Sequence, residues 1–159
     1  VGTCRRYLCI DADHVLIEPH VFLTEAGKTV FYMSYEEHEP YYDNIHRLLP
    51  ELPLDTLSYV DHKMLFDKLL LEQLHQALSN HSGLPWEETI VKSYDRQCEA
   101  GFSEFELYGN FVIDKERLPW LQKRLPYSKL ADYDTLRKKW KGSRWSLTFP
   151  DYMRQNQKD

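Results

Sequence analysis

The run Arg6-Tyr-Leu-Cys-Ile10 is apolar, short, and ends in Asp11-Ala-Asp13. A run of that length followed by polar residues reads as a buried strand with its carboxyl end in a loop. The chain is thereby committed to a sheet that displays two acids at one edge. In open α/β sheets that edge is where ligands bind. Two carboxylates this close offer hard oxygen ligands suited to Mg²⁺ or Mn²⁺. Such an ion keeps several waters and bridges to substrate phosphates. Aspartates at a strand end also serve simply as turn formers, and the motif alone does not separate the two roles.

The rest of the chain alternates loosely between strand and helix signals, which predicts a single α/β domain over residues 1–159. Val15–Ile17 resumes the apolar character until Pro19. Thr29–Met33 is β-rich and follows the Ala26-Gly27 turn signal. Glu36–Asp43 reads as a polar, aromatic surface loop, and Ile45–Leu49 as a short helix stopped by Pro50. Leu57–Val60 is expected as a strand. Met64–Leu78 shows the clearest helical stripe, through Leu65, Leu69, Leu70, Leu74 and Ala77, with Gly83 and Pro85 ending it. Trp86–Tyr94 predicts a second, shorter helix. Ser103 with Glu106 three residues on forms a capping box, and Phe102 with Leu107 a hydrophobic staple, so a helix should begin at Ser103. A basic helix over Thr135–Lys141 and a last strand, Arg144–Phe149, complete the pattern.

Bulk properties narrow the function classes. A net charge of -5 gives no general attraction to nucleic acid or anionic lipid. No apolar run approaches the length of a membrane span. The three cysteines, Cys4, Cys9 and Cys98, show neither disulfide pairing nor zinc spacing, and read as thiols of a reducing compartment. A cytoplasmic location, peripheral to the membrane at most, is the expectation. The 11 tyrosines and 4 tryptophans are numerous enough to line a sugar site, but aromatic rings fill cores in the same way.

Three segments together carry a family resemblance. Tyr7-Leu-Cys-Ile-Asp-Ala-Asp-His-Val-Leu-Ile-Glu-Pro19 resembles the metal-binding strand and following segment of GT-A-type nucleotide-sugar glycosyltransferases. Asp61-His-Lys-Met-Leu-Phe66 and Ser103-Glu-Phe-Glu-Leu-Tyr-Gly-Asn110 resemble stretches of a poorly characterised bacterial and viral group of such proteins. The similarity runs from Arg6 to Phe149. It implies a partial GT-A mixed sheet flanked by helices, comprising the metal- and acceptor-binding part without the preceding nucleotide-binding units. It also implies Mn²⁺ or Mg²⁺, a nucleotide-sugar donor, and a glycan or lipid-linked acceptor. Asp11 and Asp13 would be metal ligands. The late histidine that often completes such a site has no counterpart after His81, and Asp151 is the nearest substitute.

An inverting transferase needs a carboxylate to take the acceptor hydroxyl proton. Glu104 and Glu106 are the candidates. Glu106 is expected to fold back on the cap, leaving Glu104, at the first helical position, to face a cleft. His62, Ser103 and Tyr108 are candidate donor or acceptor contacts. His62 could equally be a structural residue at the start of a helix, with Asp61 as a cap. His14 is expected to point away from Asp13. The clusters Glu36-Glu37-His38-Glu39 and Arg137-Lys138-Lys139-Trp140-Lys141 read as solvated surface. Two other functions fit the same residues. A haloacid-dehalogenase-type phosphatase would use Asp11 as nucleophile and Asp13 as acid, with Asp132 and Asp134 as weak second-motif matches. A non-catalytic carbohydrate-binding domain derived from a transferase is the third reading.

Overall fold

The computed structural model describes residues 4–36, 38–98, 100–119 and 122–150. Among these residues the chain is a mixed α/β protein with three small sheets and five α-helices. Strand β1 (Arg6–Ile10) pairs antiparallel with β4 (Lys63–Asp67). Strand β2 (His14–Leu16) pairs antiparallel with β7 (Ser146–Thr148), which pairs parallel with β6 (Gln122–Arg124). Strand β3 (Thr29–Met33) pairs parallel with β5 (Lys115–Pro119). The helices are α1 (Glu39–Leu48), α2 (Lys68–Ser82), α3 (Trp86–Ser93), α4 (Glu104–Phe111) and α5 (Tyr133–Trp140). No disulfide joins the cysteines. No described helix is long and apolar enough to cross a membrane.

Three expectations about these elements are corrected. Residues 64–67 are strand, not helix: Met64 and Phe66 bury their side chains while the backbone pairs with β1, Cys9 opposite Met64 and Tyr7 opposite Phe66. The helix starts at Lys68 because Asp67 caps it, its carboxylate accepting from Leu69 N at 3.0 Å. The shift leaves Leu69 exposed and puts Leu74 and Leu78 in the core. Leu57–Val60 is not a strand; only Ser58 bridges Ser34. The expected loop at 36–43 already contains the first turn of α1, with Pro40 in the position where its missing N–H costs nothing. Gly83 ends α2 in the left-handed conformation, φ 71°, as a glycine after a helical stripe should.

The main core lies between β3, β4 and helices α1, α2 and α4. Phe31, Met33, Ile45, Leu48, Phe66 and Leu107 are among its members. A smaller core under the β2–β7–β6 sheet is built from Ile17, Leu125, Leu147 and Phe149. Strand β1 is different. It forms as expected but is not the buried strand that its apolar run predicts: its only described partner is β4, and with no layer covering them Tyr7, Leu8 and Ile10 stay exposed among the described residues.

The α4 contact with the main core is close. A Cβ on Gly109 would lie 2.7 Å from Tyr59 Cβ and closer still to its ring. Tyr59 cannot easily yield, because its hydroxyl bonds Asp55 and its edge meets Phe31. Gly109→Ala is therefore expected to destabilise the protein by about 1–3 kcal/mol, although alanine favours helix. A chemical-denaturation midpoint unchanged from wild type would contradict this packing.

Candidate metal centre

The Asp11–Asp13 corner is fixed by backbone hydrogen bonds on three sides. Asp11 N donates to His62 O at 2.9 Å, extending the β1–β4 ladder by one step. His14 N donates to Asp11 O at 3.0 Å, closing the turn, and Phe149 N donates to Asp13 O at 2.9 Å. The turn thus joins the end of β1 to the end of β7. Asp11 is exposed, and Asp13 and His62 are half-buried.

His62 reaches this corner from the other strand. It has φ 58°, a conformation that a non-glycine residue adopts at a cost. Two buried anchors flank it. Asp61, 1% exposed, forms an ion pair with Lys63, 4% exposed, whose ammonium sits 4.9 Å from the Tyr32 ring centroid. Upstream, Glu106 holds the approach to the corner, accepting from Ser58 Oγ and from Tyr59 N at 3.1 Å. The result is that His62 Nδ1 lies 2.8 Å from Asp11 Oδ2, and one ligand atom each from Asp11, Asp13 and His62 falls within 4.8 Å of the others.

Two carboxylates and an imidazole form a mixed oxygen–nitrogen donor set. That set suits Mn²⁺ better than Mg²⁺, which prefers oxygen ligands throughout. Three protein ligands would leave coordination positions for water or phosphate oxygens. A cleft of about 260 Å³ lined by Ala12, Asp13, Val15, Leu130 and Phe149 opens beside Asp13.

Behind the corner lies a layer of histidines. His14 is buried, its ring stacked 5.8 Å from that of His62, and its Nδ1 is 2.6 Å from Thr148 Oγ1. Burial, aided by Lys63 and by the His62 and His20 rings, pushes its pKa down to about 2, so the ring stays neutral. His14 does turn from the solvent side of the corner, but it packs against the metal candidate rather than away from it.

The other predicted site residues divide. Ser103 is the N-cap of α4, its Oγ accepting from Glu106 N at 3.2 Å. Glu104 is exposed at the first helical position. The Cys9 thiol is pushed up first by burial, then by Glu104, then by Asp11. Glu106 is corrected on one point. Its carboxylate does not fold back on Ser103 but turns into the core, 0% exposed, with Asn110 Nδ2 also 3.4 Å away. Satisfying the Ser58 hydroxyl and the Tyr59 N–H outweighs closing the capping box, because an unpaired buried polar group is costly. A carboxylate so enclosed touches no solvent and offers no base to an acceptor. Tyr108 is likewise core, 1% exposed, its hydroxyl accepting from Asp67 N at 2.9 Å. It presents nothing to a donor or acceptor. Asp151 lies outside the described residues. Asp132 and Asp134 sit on a 3-10 turn (Tyr127–Asp132) and on α5, not at a strand end.

Sequence reasoning missed two neighbours. Glu36, read as solvated surface, forms an ion pair with Arg124, and Arg124 Nη2 lies 3.5 Å from His62 Nε2. Arg124 comes from β6, 62 residues from His62, and no local spacing could have paired them.

No protein-family model and no curated protein matches this chain. The class that fold and site define is therefore a mixed α/β protein with an Asp–Asp–His cluster at the end of its first strand.

Proposed function

We propose that this protein is the metal- and acceptor-binding part of a metal-dependent glycosyltransferase that moves a sugar from a nucleotide-sugar donor to a glycan or lipid-linked acceptor. The observation that carries the reading is the grouping of Asp11, Asp13 and His62 at the carboxyl end of β1. Mn²⁺ held there would neutralise the departing diphosphate as a Lewis acid. His62 takes the place of the late histidine that the resemblance lacks, and relieves Asp151 of that role. Glu104 is the proposed base: it is exposed at the first helical position of α4, and its charge, like that of Asp11, acts on the Cys9 thiol.

The test is transfer from a panel of nucleotide sugars by the full-length protein, with and without Mn²⁺. Glu104→Gln is expected to lower turnover by roughly 10²–10⁴ while leaving Mn²⁺ affinity unchanged. Wild-type turnover that is indifferent to chelation of the metal would sink the reading. Loss of Mn²⁺ binding in Glu104→Gln would instead move Glu104 into the metal site.

A further inference from the structure

In the resting arrangement both nitrogens of the His62 ring are engaged. Asp11 Oδ2, 2.8 Å from Nδ1, can only accept, so Nδ1 carries the hydrogen. Arg124 Nη2, 3.5 Å from Nε2, can only donate, so Nε2 faces it as an acceptor. A metal ion needs the lone pair of one of these nitrogens. Coordination through Nε2 requires the guanidinium to leave. Coordination through Nδ1 moves the ring hydrogen to Nε2, where it points at the N–H of Arg124 and repels it. On either route, metal binding and the Arg124–His62 contact exclude each other.

Arg124 is also held where a phosphate would arrive. Its backbone is fixed in β6, opposite Thr148 of β7, at the end of the sheet that anchors Asp13. The ion pair with Glu36 keeps the guanidinium beside the corner. The guanidinium fork matches phosphate oxygens two at a time. A divalent cation alone would repel this charge, whereas a cation carrying a diphosphate would attract it.

We propose that Arg124 is a diphosphate-binding side chain parked on His62, released when the metal loads, and closing on the phosphate oxygens of the metal-bound ligand. The proposal rests on the metal reading above. It gives Arg124 opposite effects on two ligands. It opposes metal alone and favours metal with diphosphate.

Calorimetry on the full-length protein separates these effects, with Mn²⁺ alone and then with methylenediphosphonate at saturating Mn²⁺. Arg124→Gln is expected to bind Mn²⁺ alone about 3–10-fold more tightly and the diphosphonate about 10-fold or more weakly. Arg124→Lys keeps the charge without the fork and should also bind the diphosphonate several-fold more weakly. Since Lys can still pair with Glu36, it remains informative if Arg124→Gln folds poorly in a thermal melt. Affinities that fall together, that do not change, or a wild type that ignores the diphosphonate would overturn the role of Arg124. Asp13→Asn tests the premise separately. If it binds Mn²⁺ as well as wild type, the metal reading fails and takes this proposal with it. If it loses Mn²⁺ while the Arg124 variants match wild type, the metal site stands and only the Arg124 proposal falls.

Discussion

Asp13→Asn is expected to lower Mn²⁺ affinity by about 10²-fold or more and, on the proposed function, sugar transfer by about 10³-fold. The reasoning starts from the donor set. With three protein ligands, losing one charged oxygen removes a third of the protein's contribution and half of its negative charge at the ion. Stabilising a leaving diphosphate is worth several kcal/mol when a metal supplies it, and each 1.36 kcal/mol is about tenfold in rate. The substitution should cost little stability. Asp13 is half-buried, and its structural task, accepting from Phe149 N, belongs to its backbone carbonyl. Calorimetric Mn²⁺ titration alongside thermal melts checks both halves. A stable Asp13→Asn protein that binds Mn²⁺ normally would show the acids to be turn formers only.

The second large effect belongs to Glu106 and concerns stability. Glu106→Ala would strand Ser58 Oγ and Tyr59 N, and weaken the hold on Asn110. Each buried polar group left unpaired costs about 1–3 kcal/mol, so a loss of about 3–5 kcal/mol is expected. Glu106→Gln is not the mild change that a capping box would allow. The amide oxygen can still accept from Ser58 Oγ and Tyr59 N, but its NH₂ would confront Asn110 Nδ2, so about 1–3 kcal/mol is expected. Burial raises the Glu106 pKa above its ordinary value of 4.5, against the pull of its donors. For a raised pKa the native state holds the proton in a window where the unfolded state has released it. Stability from this group is therefore complete below about pH 4.5 and declines as pH rises through the raised value. Glutamine does not titrate there, so the gap between wild type and Glu106→Gln should widen as pH is lowered. Urea midpoints for both proteins across that window read the slope directly. A gap that narrows toward acid would reverse the assignment.

The turn and helix-end signals of the sequence were largely sound because they are settled within a few residues. The Ala26-Gly27 turn forms with Gly27 at φ 81°, Gly83 stops α2, and Ser103 caps α4. Each depends on a glycine's freedom or a side-chain oxygen next to its own backbone. The stripe at 64–78 misled because an alternating strand and a helix can share leucines over so short a span. Pairing with β1 decided for strand, and pairing is not a local property. The same boundary explains Glu106: its box partner was correct by spacing, but the carboxylate was claimed by the Tyr59 N–H and the Ser58 hydroxyl, 47 and 48 residues away.

For the candidate site the division is sharper. The sequence by itself determined that two carboxylates would stand at the end of an apolar strand, since Asp11-Ala-Asp13 directly follows that run in the chain. Only the tertiary structure decided that His62 joins them. Antiparallel pairing carries β4 back to the end of β1, and a left-handed corner held by the Asp61–Lys63 pair turns the ring inward. Arg124, Glu36 and His14 come from β6, the segment after β3, and β2. Their meeting depends on how three small sheets close on one another, and burial and charge at that junction act across distances that no spacing along the chain records.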